Sequence, residues 1–169
     1  MRAAEKITDL RELQAVCSRH RQEGRRVVFT NGCFDLLHLG HVRYLEEARS
    51  LGDVLVVGVN TDRSVSEIKG PRRPVTGQAE RSEVLAALQC VDHVVLFDTP
   101  DPLPVIVALE PDVLVKGADW AEGRIVGADF VTAKGGRVVR IPLIPNASTT
   151  SIIDRIIERF GMGRTLSEV

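Results

Sequence analysis

Residues 27–44 read VVFTNGCFDLLHLGHVRY, and the change of pattern inside this stretch decides the fold. Val27, Val28 and Phe29 form an apolar, β-prone run. Asn31-Gly32 breaks it, and a helical pattern resumes near Leu39. Strand, glycine-containing turn and helix in that order open a β–α–β unit. Such a turn leaves unbonded N–H groups at the positive end of the helix, facing one point. His38 and His41 stand there with Gly40 between them, as donors whose charge changes near neutral pH. The expectation is a polyphosphate site.

On the N-terminal side, Leu10, Leu13, Val16 and Cys17 recur at helical spacing. They predict an amphipathic helix over 8–22, capped by Thr8 or Asp9, within an N-terminal segment 1–24. His20 falls in its basic last turn and is expected to be solvated. On the C-terminal side, the helix from 39 to 51 carries Val42, Leu45, Ala48 and Leu51 on one stripe. The run VLVVGV then predicts a strand buried on both faces, as in a parallel sheet.

A short helix follows from Thr61 or Asp62 to Ile68, and KGPRRP over 69–74 reads as a stiff basic loop. Further helices are predicted over 77–90, 105–109, 124–134 and 148–157, with strands at 93–97, 113–115 and 138–141. Residues 161–169 read as a loose tail. Five strands alternating with helices predict one domain over 1–169: an α/β, three-layer Rossmann-like fold with a five-stranded parallel sheet.

Composition narrows the function. With 22 basic and 23 acidic residues the formal charge is -1, so no global positive field attracts nucleic acid or an anionic membrane. No apolar run approaches a membrane span, and no signal-like segment opens the chain. Cys17, Cys33 and Cys90 make no CxxC pair, which fits reduced thiols in a cytoplasmic protein.

In an open parallel sheet, ligands bind beyond the carboxyl ends of the strands. Four strand exits carry reactive side chains: Asn31 to His41, Asn60 to Asp62, Lys116 to Trp120, and Ile144 to Thr150. There is no GxxxxGK[ST] and no GxGxxG. Two histidines at this spacing need a third ligand to hold zinc, and no HExxH or cysteine cluster supplies it. No metal-ligating residue is therefore assigned.

TNGCFDLLHLGH resembles the motif of the HxGH nucleotidyltransferase superfamily, more closely its cytidylyltransferase-like branch. KGADW (116–120) is similar to that branch's GxDW segment, and Ser148-Thr149-Thr150 to its late STT helix start. Joined with IKGPRRPV and STTSII, these motifs most resemble the D-glycero-β-D-manno-heptose 1-phosphate adenylyltransferases of ADP-heptose synthesis. The resemblance implies transfer of AMP from ATP to a heptose 1-phosphate, with Mg2+ carried on the nucleotide phosphates. It also implies roles for residues. Asn31, Gly32 and the Cys33 and Phe34 backbone would hold the α-phosphate region, and His38 and His41 the triphosphate, with His41 the more catalytic. Gly117 and Asp119 would meet the ribose, and Ser148 and Thr149 the β- and γ-phosphates.

Lys69 is expected to act on the acceptor or the triphosphate. Arg72 and Arg73 stand evenly between phosphate contact and a merely solvated charge, while Arg81, matching a recurrent family arginine, and Lys116 are further phosphate candidates. Asp35 is expected to orient the loop rather than act as a base. The chain departs from some relatives in having Leu143 and Ile144 where an arginine precedes STT, and Cys33 where many have Thr. The rival expectations are a cytidylyltransferase acting on glycerol 3-phosphate or a similar alcohol phosphate, and a non-catalytic nucleotide-binding domain. A separate kinase would supply the sugar phosphate, and the first and last helices offer faces for a homodimer.

Overall fold

The computed structural model describes residues 2–119, 121 and 124–161. Trp120 and residues 162–169, most of the expected loose tail, lie outside the described residues. The strands β1 (Val27–Gly32), β2 (Val54–Asn60), β3 (His93–Phe97), β4 (Val113–Gly117) and β5 (Arg137–Ile141) form one sheet in the order β3-β2-β1-β4-β5. Every pairing is parallel, with Val27 opposite Val54, Val28 opposite Val113, and Gly117 opposite Ile141. The chain moves outward from β1 to β3, then returns to place β4 on the other side of β1. That reversal puts a topological switch point between β1 and β4.

The helices are α1 (Leu10–Gln22), α2 (Leu39–Ser50), α3 (Asp62–Lys69), α4 (Gln78–Ala86), α5 (Leu103–Leu109), α6 (Ala128–Ala133) and α7 (Thr149–Phe160). The period of two along each strand divides the core into two layers. Val28, Leu55, Val57 and Val59 pack with Leu45 and Ala48 of α2 and Leu85 and Ala86 of α4. Val27, Phe29, Val54 and Val56 pack on the opposite face with Leu13 and Cys17 of α1, Ile106 and Leu109 of α5, and Val131 of α6. The three-layer α/β fold with its five-stranded parallel sheet is as the sequence predicts.

Caps fix several helix starts. Asp9 accepts from the Glu12 N–H at 2.8 Å, and Thr61 from Ser64 at 3.3 Å. At α5, Asp101 accepts from the Leu103 N–H at 2.8 Å. Each of these bonds satisfies a donor that the helix leaves open.

Three expectations need correction. The helix expected from 124 begins only at Ala128, because Gly127 takes a left-handed φ of 85° and closes against the Ile106 side chain. The helix expected over 77–90 ends at Ala86, and Val84 of its supposed stripe is half exposed. His20 is only partly solvated: its side chain is 16% exposed and its ring lies 6.1 Å from that of His93. The Ile-rich face of α7, offered above as a dimer face, stays outside the core. No residue of α7 is fully buried, and Ile156, Ile157 and Phe160 are exposed.

Candidate active site

A cavity of about 530 Å³ opens at the carboxyl edge of the sheet, across the switch point. The exit of β1 supplies its centre, with Asn31, Gly32, Cys33, Phe34, His38 and His41 in the wall. On one side stand Lys116, Gly117 and Asp119 from β4, Leu143 and Ile144 after β5, and Ser148 and Thr149 at the start of α7. On the other stand Asn60 at the end of β2, Ile68, Lys69 and Arg73 from beyond it, and Pro100 and Pro102 from beyond β3. The four strand exits read as chemically loaded thus do share one edge. Of the candidate residues, only Arg72 and Arg81 are absent from the wall.

The histidine pair is built by the first turn of α2. His38 is the N-cap, and its carbonyl accepts from the His41 and Val42 N–H groups at 2.9 and 3.2 Å. The turn stacks the two rings, with centroids 3.8 Å apart and planes 22° from parallel, while Phe34 packs on His41 at 5.1 Å. Gly40 is required between them. A Cβ there would come within 3.0 Å of the His38 ring and 3.1 Å of the Ala147 carbonyl oxygen. The glycine therefore lets the histidine turn and the approach to α7 close on one another.

Burial pushes the His41 imidazole down to about 4, with neighbouring His38 adding to the effect, and burial also lowers His38. Both shifts favour the neutral ring in the unliganded protein. Nδ1 of each is buried without a hydrogen-bond partner among the described residues, so Nε2 is the nitrogen left for a ligand. Two helix N-termini, those of α2 and α7, also border the cavity. They favour negative charge. Ser148 already caps α7 by accepting from the Ser151 N–H at 3.0 Å, and the Thr149 hydroxyl reaches the Leu36 carbonyl at 3.5 Å.

Lys116 is buried beneath the cavity and donates to the Asn31 side-chain oxygen. Burial pulls its ammonium down to about 8. Lys69 ends α3 and is exposed at the rim.

Asp35 and Arg81 do structural work around the site. The Asp35 carboxylate accepts from the Val75 N–H at 2.8 Å, the Thr76 N–H at 3.0 Å and Arg73 Nε at 2.6 Å. Burial raises its pKa, but those two N–H groups and the guanidinium outweigh this and hold it below the ordinary value. It orients the basic loop, as expected of it.

Arg81 is not the phosphate ligand expected from the sequence. Its side chain is fully buried, and its donors are taken by the carbonyls of Thr76, Cys33 and Asn60 and by the Asp62 carboxylate. It ties the exits of β1 and β2 to the loop behind the cavity. Arg72 is likewise displaced from the site: it is exposed, and its neighbour Arg73 lines the wall instead. Nothing in a run of KGPRRP distinguishes the two arginines, because a loop without a period does not assign faces. The wall also includes Ile68 near the end of α3 and Pro100, Pro102 and Val126 in connections, none of which the sequence marks, since a lone apolar residue does not say what it faces.

Among the described residues, no group of three His, Cys, Asp or Glu side chains is placed to hold a metal ion. With Asp35 engaged by the loop, the residues present do not build a resident magnesium cage. Nor is any helix among them long and apolar enough to cross a membrane.

Comparison with known proteins gives this geometry a family. The profile described as cytidylyltransferase-like matches residues 29–155, which takes in β2 to β5, most of β1 and the histidine turn. The chain belongs to the cytidylyltransferase-like family. It is a nucleotidyltransferase, and the matched residues take in the histidine turn that centres the cavity. The protein named bifunctional protein HldE from Syntrophotalea carbinolica is 50% identical over 163 residues, 96% of this chain and 32% of that protein. The protein of the same name from Citrifermentans bemidjiense is 52% identical over 155 residues, 92% of this chain and 32% of the relative. The chain thus spans about a third of the length of these relatives.

Among solved structures, the lipopolysaccharide core biosynthesis protein from Thermoplasma volcanium GSS1 superposes with a TM-score of 0.59 at 30% identity. That match covers 72% of this chain and 98% of the other. A pantoate-beta-alanine ligase from Francisella tularensis shares the fold alone, at 14% identity and a TM-score of 0.54, covering 96% of this chain and 82% of that one.

Proposed function

We propose that this cytidylyltransferase-like chain moves AMP from magnesium-bound ATP onto a heptose 1-phosphate, giving ADP-heptose and pyrophosphate. The observation that carries this reading is the two-sided cavity, with the histidine turn at its centre and differently furnished walls on either hand. The wall from β4 to α7 suits the nucleotide. Its helix N-terminus, Ser148 and Thr149 suit the outer phosphates, and Gly117 and Asp119 suit the ribose hydroxyls. The wall beyond β2 and β3, with Lys69 and Arg73, suits a phosphorylated acceptor.

In the reaction, an oxygen of the sugar phosphate forms a bond to the α-phosphorus. The bond from that phosphorus to the bridging oxygen breaks, and pyrophosphate leaves with the electron pair. A phosphate nucleophile is already ionised at pH 7, so no general base is needed. The engagement of Asp35 by the basic loop agrees with that. Catalysis then rests on aligning two anions and on donors that meet charge growing on the phosphoryl oxygens. His41 Nε2, supported by the stacked His38, is the donor closest to that role, with the Gly32 to Phe34 backbone behind the α-phosphate. Lys69 and Lys116 supply positive charge, since Arg81 is engaged elsewhere. Magnesium arrives on the triphosphate as part of the substrate, keeping most of its waters.

The heptose assignment rests on the joint resemblance of FTNGCFDLLHLGH, IKGPRRPV, KGADW and STTSII, and agrees with the relatives named above. A kinase acting on the sugar would supply the acceptor, and the supply of ATP fits a cytoplasmic setting. The family's description favours a second reading, CTP with glycerol 3-phosphate or a similar alcohol phosphate. Purified protein assayed for pyrophosphate release with ATP and CTP against both acceptors separates the two. Release with ATP and heptose 1-phosphate is expected; release with CTP alone overturns the assignment.

A further inference from the structure

Arg73 differs from the other loop cations in how it is held. Its Nε donates to Asp35 Oδ2 at 2.6 Å, and its carbonyl accepts from the Ser66 hydroxyl at 2.5 Å. Asp35 is itself fixed, with a side chain only 1% exposed and the Val75 and Thr76 N–H groups on Oδ1. A guanidinium presents its donors in a rigid planar fork, so a carboxylate on Nε sets the direction of the opposite end. Nη1 and Nη2 donate to no protein acceptor among the described residues, and Arg73 lines the cavity on the side of Asn60, Ile68 and Lys69. Both helix N-termini that favour the triphosphate lie elsewhere, at the starts of α2 and α7.

We propose that Arg73 binds the phosphate of the acceptor through Nη1 and Nη2, and that Asp35 is the positioning residue that aims it. The proposal rests on the nucleotidyl-transfer reading above and adds which residue selects a phosphorylated acceptor. Paired N–H donors match two phosphate oxygens, a geometry a lysine at this position does not reproduce.

The test is steady-state kinetics with ATP and heptose 1-phosphate, taking KM for each substrate separately. Arg73→Met should raise the acceptor KM roughly 10- to 100-fold, the loss expected for charge-assisted hydrogen bonds. The KM for ATP should stay within about 3-fold, since only the acceptor loses a ligand. Arg73→Lys should remain impaired, and Asp35→Asn should show the same acceptor-only defect in smaller degree. Because Asp35 acts through Arg73, the double variant should be no worse than Arg73→Met alone. Should Arg73→Met fail to fold, Arg73→Gln, which keeps a donor toward Asp35, takes its place. An unchanged acceptor KM, an equal rise in the KM for ATP, or additive defects would overturn the inference. A wild-type protein that releases no pyrophosphate from ATP with any sugar phosphate overturns the functional reading instead.

Discussion

Burial drives His41 toward its neutral form, whereas the ligand inferred for it is an anion, and these opposed pulls set its pH behaviour. In the unliganded fold its pKa sits at about 4, below the value of 6.5 for an unperturbed imidazole. Between those values the unfolded chain binds more protons than the folded one, so stability rises with pH. His41's contribution is complete above about pH 6.5 and is lost as pH falls toward 4. Urea unfolding at pH 7 and pH 4.5 should differ by less in His41→Gln than in the wild type, by on the order of 2 kcal/mol. Bound triphosphate should reverse the pull and raise the histidine pKa. His41→Ala should slow turnover by the loss of one transition-state donor, roughly 3 kcal/mol or about 100-fold in kcat. A folded variant with unchanged kcat would remove His41 from the mechanism.

The first turn of α2 and the Arg81 hub show how elements hold the site. Gly40→Ala gains helix propensity of about 1 kcal/mol but puts a Cβ 3.0 Å from the His38 ring and 3.1 Å from the Ala147 oxygen. Its thermal midpoint should therefore change little while kcat falls, as measured by melting and turnover on the same sample. Arg81→Met has the opposite signature. It leaves the Cys33 and Asn60 carbonyls and the Asp62 carboxylate without their donor, at a cost of about 3 kcal/mol or more, read from the denaturant midpoint. The sequence revealed some of this and hid the rest, for physical reasons. Asn31-Gly32 and the HLGH spacing mark the turn, because only a few backbone shapes join strand to helix so abruptly. An arginine in the first turn of α4 looks like any surface cation, since its burial depends on Cys33, Asn60 and Asp62, which lie 19 to 48 residues away in sequence. The exposed Ile156 and Ile157 of α7 teach the same lesson from the other side. Periodicity shows that a helix has an apolar face, not that something in the chain covers it.

At the scale of the whole molecule, the parallel sheet gathers the reactive residues at one edge, and its order divides that edge. β1 carries the histidine turn at the centre, β4 and β5 lead to α7 on one side, and β2 and β3 lead to the basic loop on the other. The near-continuous apolar runs of β1, β2 and β4 made this architecture legible, because strands buried on both faces tolerate little else. Which wall takes which substrate is not written in any run, for it depends on strand order. Two anions meeting across β1 should react by one direct displacement, with no adenylyl-enzyme in between. Exchange of labelled pyrophosphate into ATP, measured with and without heptose 1-phosphate, tests that claim most directly. The account predicts exchange only when the sugar phosphate or its nucleotide product is present; exchange in the absence of any acceptor would contradict it.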